Sequence, residues 1–406
     1  MEKNIVNMKQ IKVSNRSAIL KVIFGSKKIS QKDIASKLNL TPGAVSIICN
    51  DMLNESILKI SHEDTEQGTV GRKQVLLEIN NNFKYLVGVD ISKRYISITL
   101  TNLDGDILDQ LVKDLNKNDS IDDLLLDISR EITMLFWKNN LQQDNIIAVG
   151  FTITGAVNDN TGVSLKYYNS RNENINIKEV LETQLNLKVF VENNVCGYAM
   201  GEALFSRNKY YDNSLFLKWG LGVGSTVIIN GTINKNRDYL TPEIGHIILD
   251  TEGEKCTCGN TGCLETIVSF NRISKELYSL NELYKPILLT KTLAHYNNKI
   301  TTKNITEILL LEDTKVQEYY KSLINVLVIS TYNCCKILCS EKVVLYGYMF
   351  ESKKILEDFI KTYKLINSKN TKVKFKKSRY IEKENYIGAI SLAITKGFLD
   401  VGGLTN

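Results

Sequence analysis

The chain has 406 residues, 43% of them hydrophobic and 24% charged, enough for two or three compact units whose cores need no covalent staples. No apolar run approaches the ~20 residues that span a bilayer, and the opening MEKNIVNMKQIKVSN lacks the apolar core of a signal peptide, so a cytoplasmic protein with no membrane segment is expected. The net charge of +6 is unevenly spread: residues 1–60 hold ten Lys/Arg against four acids, an excess equal to that of the whole chain, and a basic head on a neutral body points to a polyanionic partner.

Within the head, SQKDIASKLNLTPGAVSIICNDMLNESIL (30–58) reads as two short helices and a sharp turn. Ser30 with Asp33 three residues on caps the first, and Thr41 followed by Pro42 is a cap and first-turn proline for the second. Ile34, Ala35 and Leu38 form one apolar stripe and Val45, Ile48, Cys49 and Met52 another, at helical spacing. Packed together, they leave Gly43, Ala44, Ser46, Ile47 and Asn50 facing outward, small or polar as a helix in a DNA major groove requires. Residues 57–79 alternate as two strands around a polar loop, a wing with Arg72 and Lys73 after Gly71 at its base, placed to reach a phosphate or the minor groove. Lys32, Thr41, Gly43, Ala44, Ser46, Asn50, Arg72 and Lys73 are the expected DNA contacts. The alternative is a small helical subdomain with a solvated basic surface.

From Phe83 onward strand-rich runs (85–108, 146–159, 187–194 and 214–231) alternate with helical ones (126–139 and 177–186), which argues for α/β layers. Gly220, Gly222 and Gly224 make a turn where backbone could approach a phosphate, or a plain hairpin turn.

Three of the 8 cysteines fall in KCTCGNTGCLE (255–265), and PEIGH places His246, one of only 3 histidines, ten residues upstream of Cys256. Where the surroundings are reducing, clustered cysteines bind metal or stay as thiols sooner than they pair. Cys256, Cys258, Cys263 and His246 make a Cys₃His set, a closed tetrahedral choice for structural Zn²⁺ with no open position for a hydrolytic water. Reduced thiols that bind nothing, and a disulfide, are the alternatives. The other five cysteines, including Cys334, Cys335 and Cys339 on an apolar helix, read as core thiols.

Glu243-Ile-Gly-His246 followed by Cys256-x-Cys258-Gly259-x-x-Gly262-Cys263-x-Glu265, behind a winged head, resembles the ROK family of repressors and sugar kinases over nearly the whole chain. The resemblance implies an α/β protein: an N-terminal winged helix-turn-helix over 1–80, then a two-lobed actin/hexokinase-like ROK body. Its first lobe is expected over 81–195, completed by about 385–406, and its second over 196–384 with the metal motif. It also implies sugar contacts from Glu243, His246 and Glu265, and from Asn193 of VENNVC. A lesser role for Glu265, as a helix-start residue, stays open.

Kinases of the family place an Asp after that Asn as proton acceptor and carry a DxGGT-like motif after the first strand. Here Asn194 occupies the first position, and Asp90-Ile-Ser92-Lys93-Arg94 stands for the second. A neutral amide is no general base, so the expectation is no enzyme but a sugar-responsive regulator, a repressor released from operator DNA by a sugar. A homodimer or homotetramer would grip a pseudo-palindromic site. The alternatives are a sugar kinase with an accessory DNA-binding head, and a regulator controlled by a protein partner from sugar transport.

Overall fold

The computed structural model describes residues 8–61, 75–92, 94–115, 120–166, 173–206, 213–367, 373–381 and 384–404. The chain divides into two compact units, Met1–Asn208 with Tyr386–Asn406, and Lys209–Asn385. Among the described residues no helix is long and apolar enough to cross a membrane.

The head runs α1 (Met8–Ser26), β1 (Ile29–Ser30), α2 (Gln31–Leu38), α3 (Pro42–Asn54), β2 (Leu58–Ile60) and β3 (Leu76–Ile79). Helix α2 starts where Ser30 Oγ accepts the Asp33 amide at 3.1 Å and stops at Asn39, whose left-handed backbone an asparagine tolerates. Helix α3 starts where Thr41 Oγ1 accepts the Ala44 amide at 3.3 Å, with Pro42 in its first turn. Ile34 and Ala35 of α2 and Val45, Cys49 and Met52 of α3 are buried. Strand β3 is central in a three-stranded antiparallel sheet, Leu77 facing Ile29 on one side and Ile60 on the other. Helix α1 lies outside the elements expected from sequence. Arg16 and Ser17 are buried with Ile19, Leu20, Ile23 and Phe24, so two polar residues interrupt the stripe that would have marked it.

The first unit continues with β4 (Tyr85–Ile91), β5 (Tyr95–Thr101), β6 (Ile107–Asp114), α4 (Ile121–Lys138), β7 (Ile146–Ile153), a small antiparallel sheet of β8 (Ala156–Asn158), β9 (Val163–Lys166) and β10 (Glu173–Asn176), then α5 (Ile177–Leu185), β11 (Val189–Asn193) and α6 (Asn194–Ser206). The main sheet has the order β11-β7-β4-β5-β6, with β4, β7 and β11 parallel and β5 and β6 antiparallel. Val87, Val89, Ile98, Phe151 and Val191 of the sheet meet Leu125, Ile128 and Ile132 of α4 and Leu181 of α5 in one core.

The second unit holds β12 (Ser214–Trp219), β13 (Val223–Ile229), β14 (Thr232–Ile233), α7 (Leu264–Val268), α8 (Phe270–Tyr284), α9 (Ile287–His295), α10 (Ile305–Leu309), α11 (Thr314–Ile337), β15 (Lys342–Tyr346), α12 (Tyr348–Glu351), α13 (Lys353–Ile366) and β16 (Lys374–Lys377). Its sheet, β14-β13-β12-β15-β16, repeats the plan of the first: an antiparallel meander, then two strands parallel to the meander's first. Gly220 and Gly222 lie in a tight hairpin turn, Trp219 pairing with Val223. Finally α14 (Tyr386–Ile394) returns to the first unit and runs into a π-helical turn at Thr395–Leu399. One expected core thiol is not one. Helix α11 ends at Ile337, and Cys339 lies beyond it, exposed with φ of 50°, whereas Cys335 is buried.

Candidate metal centre and binding faces

The knuckle is shaped by its own backbone. The Cys256 amide donates to Asn260 O at 2.8 Å, Gly262 N to Glu254 O at 2.9 Å and Leu264 N to Ile247 O at 3.0 Å, folding the three cysteines back toward His246. Gly262 has φ of +72°, and a Cβ there would lie 1.5 Å from Asp250 O, so no other residue fits that crossing. Glu254, gripped by Lys275 at 2.9 Å and Arg272 at 2.6 Å, pins the loop to α8, and both cations hold its carboxyl below the usual range.

His246, Cys256, Cys258 and Cys263 bring their ligand atoms within 4.8 Å of one another. Cys256 Sγ is 3.6 Å from His246 Nδ1, and Cys258 Sγ is 3.6 Å from Cys263 Sγ. A tetrahedral ion with arms of about 2.3 Å to sulfur and 2.0 Å to nitrogen has donor–donor edges of roughly 3.5–3.8 Å, so the set fits. Burial, followed by the neighbouring sulfurs, pushes the Cys263 thiol up to about 12, and burial raises Cys256 as well. A dication among them would reverse that order, since a coordinating thiol is deprotonated outright.

With Nδ1 turned to the sulfurs, His246 Nε2 lies 4.0 Å from Glu265 Oε2, and both side chains keep 16% of their surface exposed. Glu243 stands one turn earlier, its carbonyl accepting the His246 amide at 3.0 Å. Ser225 braces this segment, donating to Pro242 O at 2.5 Å and accepting the Ile244 amide at 2.9 Å. That serine carries no motif and was not legible as part of the site. Three of the four expected sugar residues therefore share the segment of the second unit that carries the Cys₃His cluster. The fourth, Asn193, belongs to the first unit, where its Oδ1 accepts the Val195 and Cys196 amides (2.9 and 3.2 Å) at the start of α6 and its Nδ2 donates to Gly155 O at 2.7 Å.

At the end of β4, Asp90 is wholly buried. Tyr198 of α6 donates to it, with OH 2.9 and 3.1 Å from its two oxygens, and Thr152 Oγ1 donates at 2.7 Å. Asn194, 4% exposed, directs its Nδ2 to Thr154 Oγ1 at 3.2 Å. Tyr198 is a second participant that no sequence signal marks.

In the head, Lys32 of α2, Thr41 at the cap of α3, and Gly43, Ile47 and Asn50 of α3 are exposed, and Ala44 and Ser46 are half-buried. Arg72 and Lys73 lie outside the described residues.

A three-helix head with a β-hairpin, followed by two sheets of one repeated plan and a Cys₃His knuckle, defines a class: a winged helix-turn-helix joined to a hexokinase-like body. The ROK family model matches residues 86–396, and the chain belongs to the ROK family. It is 28% identical over 299 residues to the xylose repressor of Bacillus subtilis, covering 73% of this chain and 76% of that one. It is 25% identical over 259 residues to the xylose repressor of Caldicellulosiruptor bescii, and there the match spans only 64% of either chain. Among solved structures, a ROK family transcriptional regulator described as a homologue of the E. coli MLC protein shares the fold over 97% of both chains, with a TM-score of 0.79 and 23% identity. The ROK hexokinase from Thermus thermophilus matches 76% of this chain and 97% of its own, with a TM-score of 0.60 and 18% identity.

Proposed function

We infer that the protein is a cytoplasmic, sugar-responsive DNA-binding regulator, a repressor whose hold on operator DNA is loosened by a sugar. The observation that carries this is a winged head whose α3 exposes Gly43, Ile47 and Asn50 and leaves Ala44 and Ser46 half-buried, fused to a body of the ROK family whose relatives named above are repressors. Gly43, Ala44, Ser46 and Asn50 are the base-edge contacts, and Lys32, Thr41, Arg72 and Lys73 bind phosphates. Paired heads in a dimer or tetramer read two half-sites.

The sugar is held by Asn193, Glu243, His246 and Glu265, whose carboxylates, amide and imidazole both give and take hydrogen bonds with hydroxyls. Cys256, Cys258, Cys263 and His246 hold a structural Zn²⁺, which leaves His246 Nε2 toward Glu265 and fixes both for the ligand. The bound sugar is not phosphorylated. Asn194 offers no base, and Asp90, which opens the segment standing where kinases of the family carry a DxGGT-like motif, is engaged by Tyr198 and Thr152.

The test is paired. DNA enriched by the full-length chain from a random-sequence pool should be released by one member of a panel of D-xylose, D-glucose and N-acetyl-D-glucosamine, and that sugar should raise the melting temperature. ATP-dependent phosphorylation of any of them at appreciable turnover would favour the kinase with an accessory head. DNA binding with no thermal response to pentoses, hexoses or amino sugars would favour control by a protein partner from sugar transport.

A further inference from the structure

Arg16 stands out in the first unit: a guanidinium on α1 with none of its surface exposed. Its Nη1 and Nη2 donate to Glu55 Oε1 and Oε2 at 3.0 and 2.5 Å, and its Nε donates to the Gly402 carbonyl at 2.8 Å. One partner caps the C-terminus of α3 and the other follows α14, 386 residues from Arg16 along the chain. Glu55 keeps 42% of its side chain exposed, and an ion pair half open to water adds little stability, so stability is a poor reason for an arginine here. The fork nevertheless fixes geometry, because its donors are rigidly disposed about one plane.

The tail is built around that contact. Gly402 has φ of +69°, and a Cβ on it would lie 2.7 Å from Arg16 Cβ and 3.1 Å from Val13 O. Near the start of α14, Gly388 meets α6 backbone to backbone: a Cβ on it would lie 2.8 Å from Gly197 C, and Ser391 Oγ also donates to Gly197 O at 3.4 Å. Helix α6 begins directly after Asn193. A single element therefore touches the helix that follows Asn193 at one end and, through Arg16, the end of α3 at the other. Between the two contacts lies the π-helical turn Thr395–Leu399, a type of irregularity frequent at functional sites.

We propose that Arg16 is a positioning residue for DNA reading: it ties the end of α3 to the C-terminal tail, so that a displacement of α14 reaches the reading helix. The proposal rests on α3 being the DNA-reading helix. Arg16 touches no DNA; it acts through Glu55. If the Gly402 carbonyl moves, either Glu55 moves with it or a charge-assisted hydrogen bond breaks inside the protein, and the second option is the costlier.

The test is amide hydrogen exchange on the full-length chain. Gly402→Ala should speed exchange at Glu55, Ser56 and Ile57 about tenfold, the loss of one hydrogen bond to a charged group, and Glu55→Gln should do the same at Gly402 and Gly403. In an Arg16→Met background both cross-effects should vanish, and Arg16→Lys, which keeps the charge without the fork, should not restore them. Local effects alone, with no change at the far end, would overturn the coupling. A second arm measures DNA selected by the wild-type chain. Glu55→Gln should weaken binding about tenfold with an unchanged salt dependence, since no phosphate contact is lost, whereas unaltered affinity or a shallower salt slope overturns the positioning role. If the wild type enriches no DNA, the reading of the head fails, and the exchange arm still decides whether the two ends are coupled.

Discussion

The knuckle at 246–263 and the corner around Asp90 are both polar and partly buried, yet they are finished in opposite ways. In the knuckle, four ligand atoms converge within 4.8 Å and the thiols nearest the core resist ionisation, a set that a cation could complete. At the corner the carboxylate already has its donors, Tyr198 and Thr152, from within the fold. One polar cluster has the geometry to receive an ion, and the other draws its donors from within the fold.

The contrast breaks most visibly at the metal. Cys263→Ser, at a position with none of its surface exposed, should remove the metal measured by elemental analysis and lower unfolding free energy by roughly 4 kcal/mol. Full metal content in that variant would sink the Cys₃His assignment.

The metal-stripped chain adds a pH signature. The Cys263 thiol is raised from 9.0 to about 12 in the folded state, so the fold holds that proton where the unfolded chain has lost it. This contribution is complete below pH 9 and is lost as pH climbs through 9 to 12, so denaturant midpoints of the stripped chain should fall across that window. With metal bound the thiolates are already formed and the decline should be absent.

Smaller effects probe the corner. Tyr198→Phe removes one donor from the buried Asp90 and should cost about 2 kcal/mol in urea unfolding, with metal content unchanged. A cost near zero would mean that the corner is not closed by this bond. Asn194→Asp should have the least effect: ATP consumption with D-glucose or D-xylose should stay at background, because restoring a base leaves Asp90 occupied. Turnover in that single variant would show that the missing base alone separated this chain from a kinase.

Legibility followed sequence separation. The caps at Ser30 and Thr41, the two apolar stripes of the head and the Cys₃His spacing are encoded within a few or a few tens of residues, and the structure has each of them. Helix α1 was hidden because its stripe carries Arg16, whose partners Glu55 and Gly402 lie 39 and 386 residues away. Tyr198 was hidden for the same reason, since a tyrosine 108 residues from Asp90 announces nothing until α6 packs beside β4. Cys339 was misassigned because the apolar run continues past the point where α11 ends.

The first unit is closed by α14, which follows the whole of the second unit in sequence, and this bears on synthesis. Gly88 of β4 and Gly150 of β7 lie against Ile390 and Ala389 of α14, so that face of the sheet stays uncovered until α14 leaves the ribosome. At roughly 5–20 residues per second the intervening second unit takes on the order of ten seconds or more to make. During that interval the nascent chain carries an open apolar sheet behind a head that still lacks its bond to Gly402, and the second unit, contiguous in sequence, can complete its fold first. A ribosome stalled before Tyr386 would therefore release a chain whose knuckle is formed but whose head lacks its Gly402 contact and whose first sheet invites chaperones or aggregation.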